Sequence, residues 1–131
     1  MEIGERFQHT FNVTEQINRQ FRVLFKDENP LHTNLDFARS KGFSNKVMYG
    51  NILNGFLSFF IGEGLPSKEV MIIAQSINYH APFFVGDTLR LEAIVKEVSL
   101  IVRVKLVKFS YKFFNQQDKL IAKGKIEIKQ L

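Results

Sequence analysis

Between Val47 and Gly64 the chain reads VMYGNILNGFLSFFIGEG, an apolar helix whose only polar stripe is Asn51, Asn54 and Ser58 at helical spacing. It falls short of the roughly 20 residues that cross a bilayer, so the rest of the chain must cover it nearly all round. Gly62, Gly64 and Pro66 end the helix, and the period then changes. Leu89, Leu91, Ala93 and Val95 alternate with Arg90, Glu92 and Lys96, and Leu120, Ala122, Ile126 and Ile128 alternate with Lys123, Lys125, Glu127 and Lys129. Val70 to His80 reads as another strand, and Asn115 to Lys119 (NQQDK) as a hairpin turn. From Val102 to Phe113 the apolar face passes from even to odd positions, which predicts a bulge or strong bend near Leu106 and Val107. Four strands and one apolar helix predict an α+β fold, a curved antiparallel sheet wrapped round a long central helix.

The 131 residues are enough for one core and not for two, so residues 1–131 read as one domain. With no cysteine, disulfides, thiolate zinc sites and cysteine nucleophiles are excluded, and His9, His32 and His80 lack metal-ligand spacing, so no metal is expected. His9 is expected at the surface or facing a partner, and His80 at a strand end. MEIGERFQHTF has no apolar signal core, which makes the cytoplasm the expected location and a membrane partner unexpected. A net charge of +5 suits an anionic partner, but the basic residues are spread along strands without a nucleic-acid motif, so no nucleic acid is expected. Arg103, Lys105, Lys108 and Lys112 read first as solvated sheet positions.

Upstream of the apolar helix, Thr14 can cap a helix that buries Ile17, Phe21, Leu24 and Phe25 and finishes near Lys26. Pro30 disfavours helical geometry at Asn29, so Asp27 to His32 (DENPLH) reads as a turn. Asn34 then caps a short helix, LDFARSK, closed by Gly42. A carboxylate and an imidazole therefore share one loop between two helices. By composition alone this is either a solvated turn or two halves of a proton-transferring site.

The order of these segments resembles the hotdog fold. The residues MEIGE, FKDENPLHTNLDFA, VMYGNILNGFLS and QSINYHAPFFVGDTLRLEAIV, with Pro82, Gly86 and Asp87 in a P-x-x-x-G-D turn, resemble the MaoC-like, R-specific enoyl-CoA hydratase family. The resemblance implies hydration of a trans-2-enoyl thioester to a (3R)-3-hydroxyacyl thioester, or the reverse dehydration, with no cofactor beyond the coenzyme A or acyl carrier protein of the substrate. It implies Asp27 and His32 as the catalytic pair activating one water, Asn29 as support, and the backbone N–H of Gly50 as oxyanion donor. Tyr49, Asn51 and Asn54 become pocket candidates, a homodimer or dimer of dimers is expected, and basic sheet residues become candidates for meeting coenzyme A phosphates or an acidic carrier protein. Three positions depart from the family pattern: Tyr49 where a histidine is common, Gly55 where a serine is common, and Asn34 where an aspartate often follows the histidine. Two rival readings follow: a hotdog thioesterase, which sends water to the carbonyl, and a noncatalytic acyl-thioester-binding or assembly protein.

Overall fold

Alternating side chains need a partner surface on one face only, and the strands of this chain satisfy that need by pairing into one sheet. The computed structural model describes residues 1–131. In chain order it contains β1 (Arg6–Asn12), α1 (Glu15–Phe25), α2 (Pro30–Thr33), α3 (Leu35–Ser40), α4 (Ile52–Glu63), β2 (Val70–Tyr79), β3 (Thr88–Ile101), β4 (Val104–Phe114) and β5 (Leu120–Gln130). The sheet order is β1-β3-β4-β5-β2, and every neighbouring pair is antiparallel. Leu89, Leu91 and Val95 of β3, Val107, Phe109 and Phe113 of β4, and Ile126 and Ile128 of β5 form one buried cluster with Leu53, Leu57 and Phe60 of α4. This is the expected sheet around a helix. A tight crossing fixes the far edge: Gly124 lets the Tyr111 hydroxyl reach over β5 and donate to the Ser76 carbonyl at 2.7 Å, because a Cβ at 124 would overlap that carbonyl oxygen.

Three expectations about the strands need correction. The sheet has five strands, not four: Phe7, His9 and Phe11 alternate inward along β1, which pairs with β3. His9 is accordingly half-buried, with its ring 4.7 Å from Phe11 and 5.1 Å from Phe59, rather than a surface residue. The expected bulge at Leu106 and Val107 is absent, since β4 pairs regularly there; the register slips instead on β3, between Val95 and Glu97. Val102, left-handed at φ 54, belongs to the β3–β4 turn, and Val104 and Leu106 are half-buried apolar residues on the opposite face of β4 from the buried Val107 and Phe109.

The central helix starts at Ile52, after a nonhelical stretch through Val47, Met48 and Tyr49 and a turn at Gly50 and Asn51. It is not covered all round: Asn51, Gly55, Ser58, Phe59 and Gly62 are exposed along one side. Similarly, α1 packs Ile17 and Phe21 against the core, but Leu24 and Phe25 stay 72% and 63% exposed at its end. The sheet is wide enough to cover one face of α4, and α1 overlaps only part of the other.

Candidate active site

The loop that carries Asp27 and His32 is held by a chain of local hydrogen bonds. Thr14 caps α1 by accepting from the Ile17 N–H at 3.2 Å. The helix stops at Lys26, whose left-handed φ of 57 turns the chain while its N–H donates to the Arg22 carbonyl. Asp27 Oδ1 accepts from the Asn29 N–H at 3.1 Å, and Asn29 Oδ1 accepts from the Leu31 N–H at 3.0 Å. Asn29 therefore caps α2, with Pro30 as its first residue, so DENPLH is a capped single turn of helix and not a plain turn. The expectation overlooked that proline fits the first position of a helix as well as a turn.

Two further bonds tie this helical turn to the strand-like segment before α4. The Val47 N–H donates to the Leu31 carbonyl at 3.1 Å, and His32 Nδ1 lies 2.6 Å from the Val47 carbonyl oxygen. Because a carbonyl only accepts, Nδ1 carries the proton, and Nε2 of a neutral His32 is left with its lone pair. The Met48 N–H then donates to the Phe83 carbonyl at 2.9 Å, fixing the segment to the Pro82–Asp87 turn. In that turn Gly86 is left-handed, and Asp87 accepts from the Phe84 N–H and the Gln116 side chain, both at 2.9 Å. Asp87 thus holds the loop together.

Tyr49 joins the backbone of Asp27 to the ring of His32. Its hydroxyl donates to the Asp27 carbonyl at 2.5 Å, its ring lies 4.3 Å from that of His32, and its other neighbour, Phe21, stacks at 4.6 Å. No hydrogen bond links Asp27 and His32 directly; the buried Tyr49 touches both. Burial, followed by the nearby Asp27 charge, raises the Tyr49 hydroxyl above its ordinary range, which keeps it a neutral donor. Asp27 is exposed and His32 half-buried.

Asp27 opens onto a groove of about 800 Å³ between α1 and α4, walled by Phe21, Leu24, Asn51, Asn54 and Phe56. His32 is not part of that wall. At its α4 end, the N–H groups of Gly50 and Asn51 donate to no protein acceptor, while the Leu53 N–H returns to the Gly50 carbonyl at 3.0 Å. Asn51 makes no side-chain cap. Asn54 donates through Nδ2 to Asn51 Oδ1 at 2.8 Å and accepts from the Gln75 side chain. The structure therefore gathers Asp27, Asn51 and Asn54 on the groove and places Gly50 next to it, with His32 on the far contact of Tyr49. Asn29 and Asn34 are spent on helix caps.

Sequence reasoning missed Gln75 and Tyr79. Both lie on β2, and only the fold brings them to α4. The half-exposed Tyr79 ring sits against Gly50, where a Cβ would come within 2.9 Å of the ring. No local pattern announces such a contact. No helix is long and apolar enough to cross a membrane, and no three of His, Asp and Glu gather as a metal-holding group.

A five-stranded antiparallel sheet folded round α4, with a carboxylate and imidazole loop beside its N-terminal end, defines a protein of the hotdog class. The chain belongs to the MaoC like domain family, whose match covers residues 2–116. It is 34% identical over 89 residues to an (R)-specific enoyl-CoA hydratase of Rhodospirillum rubrum, covering 68% of this chain and 60% of that protein. Against the (R)-specific enoyl-CoA hydratase of Aeromonas caviae the identity is 28%, over 98% of this chain and 95% of the relative. The solved structure of an (R)-hydratase from A. caviae superposes with a TM-score of 0.87 at 26% identity, over 98% of this chain and 96% of that one.

Proposed function

We propose that this chain adds water to trans-2-enoyl thioesters to give (3R)-3-hydroxyacyl thioesters, or catalyses the reverse dehydration, as a hydro-lyase acting on coenzyme A or acyl carrier protein substrates. The observation that carries the reading is the loop bearing both Asp27 and His32, held by Tyr49 through the Asp27 backbone carbonyl and the His32 ring, beside a free pair of N–H groups at the start of α4. Relatives bearing hydratase and dehydratase names support it.

In this reading the carboxylate of Asp27 and Nε2 of His32 hold one water. As its oxygen attacks C3 of the enoyl group, the pair takes a proton from it, and the thioester oxygen becomes an enolate oxygen facing the Gly50 N–H. The same proton is returned to C2, so the net addition is one water and no other reactant is consumed. The bond from Nδ1 to Val47 holds the imidazole with Nε2 as the working nitrogen.

Residues 1–131 act in this proposal as one hotdog unit, paired with a second copy. A lone chain leaves Asp27 in water and β2 as an open sheet edge bearing Met71 and Ile73, 52% and 47% exposed. A homodimer, or a dimer of dimers, covers such an edge. No metal or redox group takes part in this reading.

The test is loss of the enoyl absorbance of crotonyl-CoA, with identification of the product. Wild type forms the (3R)-3-hydroxyacyl thioester, and Asp27→Asn and His32→Ala each lose about 10²-fold or more in kcat while remaining folded. Release of free thiol instead marks a thioesterase. Saturable binding without turnover, across acyl lengths and both carriers, marks a binding protein.

A further inference from the structure

The backbone at Gly50 has no positive φ and so does not itself demand glycine. What demands it is the Tyr79 ring, whose Cε1 and Cζ lie 2.9 and 3.1 Å from the place of a Cβ at position 50. Ring and glycine form a matched pair, in contact across the gap between the end of β2 and the turn that opens α4. The neighbourhood of that ring is polar and tied. Asn54 joins Asn51 on its own helix to Gln75 on β2. β2 and the first turn of α4 are thus fastened together at the place where two N–H groups stand free.

We propose that Tyr79 is a positioning residue: its ring buttresses the peptide that carries the Gly50 N–H and holds that donor toward the thioester oxygen. The proposal rests on the hydratase reading above and adds a residue to it. A glycine peptide with no side chain to anchor it has more freedom than any other, and oxyanion stabilisation depends on the donor being in place before charge develops. A misplacement of about 1 Å at such a group is enough for a 10²-fold loss. The flat ring removes that freedom without touching the reacting atoms.

The test compares Tyr79→Ala and Tyr79→Phe with wild type in steady-state hydration of crotonyl-CoA. It also records the infrared carbonyl band of bound butyryl-CoA, isotope-labelled at its thioester carbonyl, which binds but has no double bond to hydrate. Tyr79→Ala is expected to lower kcat about tenfold or more, leave KM within about twofold, and move the carbonyl band back toward its position in water. Tyr79→Phe keeps the ring and is expected to keep both kcat and band. Unchanged kcat and band in Tyr79→Ala overturn the proposal, and so does a rise in KM alone, which would make Tyr79 a wall of the binding site. The band also separates the two readings: a shifted band in wild type that never hydrates enoyl thioesters defeats the hydratase reading and leaves the positioning one standing. An unshifted wild-type band defeats the positioning one.

Discussion

The two sides of α4 are built on opposite terms. Toward the sheet, Leu53, Leu57 and Phe60 sink into a cluster with β3, β4 and β5 in which nearly every member is shielded from water. Away from it lie Asn51, Gly55, Ser58 and Gly62, with the exposed Leu24 and Phe25 of α1 across the groove. The covered side determines that the chain folds, through many small apolar contacts that substitute for one another. The open side determines what the fold presents, through a few groups with nothing to replace them. Changes on the first should therefore move stability, and changes on the second should move activity with little effect on stability.

The largest effect should come from Gly124→Ala on the covered side. Its Cβ would overlap the Ser76 carbonyl and crowd the Tyr111 hydroxyl, so we expect a loss of about 3 kcal/mol, from overpacking and a broken buried hydrogen bond. A denaturant midpoint equal to wild type would break the comparison at its strongest point. Next comes alkaline pH. Burial first of all raises the hydroxyls of Tyr111, Tyr49 and Tyr79, whereas unfolded tyrosines ionise near pH ~10. Above that pH the unfolded chain has lost protons that the native chain keeps, so stability is intact below pH ~10 and declines as pH rises toward the native values. Tyr111→Phe should flatten that decline, as read by unfolding at a series of pH values.

Two smaller changes sharpen the contrast by adding stability. Asn18 is a buried residue of α1 whose Oδ1 meets no donor, and Asn18→Leu should gain about 1 kcal/mol in urea unfolding by removing an unpaired polar atom. Lys26 is left-handed at the end of α1. Lys26→Gly should gain at most about 1 kcal/mol by relieving that strain, and because Asp27 follows directly, any accompanying fall in hydration rate would show that the strained turn also aims the carboxylate.

Elements whose signals are local were legible in the sequence. Thr14 and Asn34 cap the helices where their side chains suggested, and the alternation survives in the sheet from Leu89 to Val95 on β3 and from Ala122 to Ile128 on β5. DENPLH was legible as the link between two helices but not as a capped helical turn, because proline and asparagine suit a turn and a helix start equally well. What escaped depends on distant partners. β1 hid because Phe7, His9 and Phe11 mix aromatic and polar character over only seven residues. The slip on β3 hid because a register is a property of two strands. The open side of α4 was misjudged because an apolar sequence states what a helix prefers and not how much of it the sheet can reach. Tyr79 and Gln75 were silent for the same reason, meeting α4 only through the fold.

The sheet order has a consequence in time. The meander from Thr88 to Gln130 is contiguous in sequence, whereas β1 waits for β3, some eighty residues downstream, and α4 waits for the same strands to cover it. On a ribosome making roughly 5–20 residues per second, the half bearing Asp27, His32 and Gly50 emerges first and has no surface to fold against until the last strands appear. The loop from Asp27 to His32 is thus synthesised well before the strands on which its setting depends, and a chain interrupted before β5 would expose its most apolar helix to whatever chaperone is at hand.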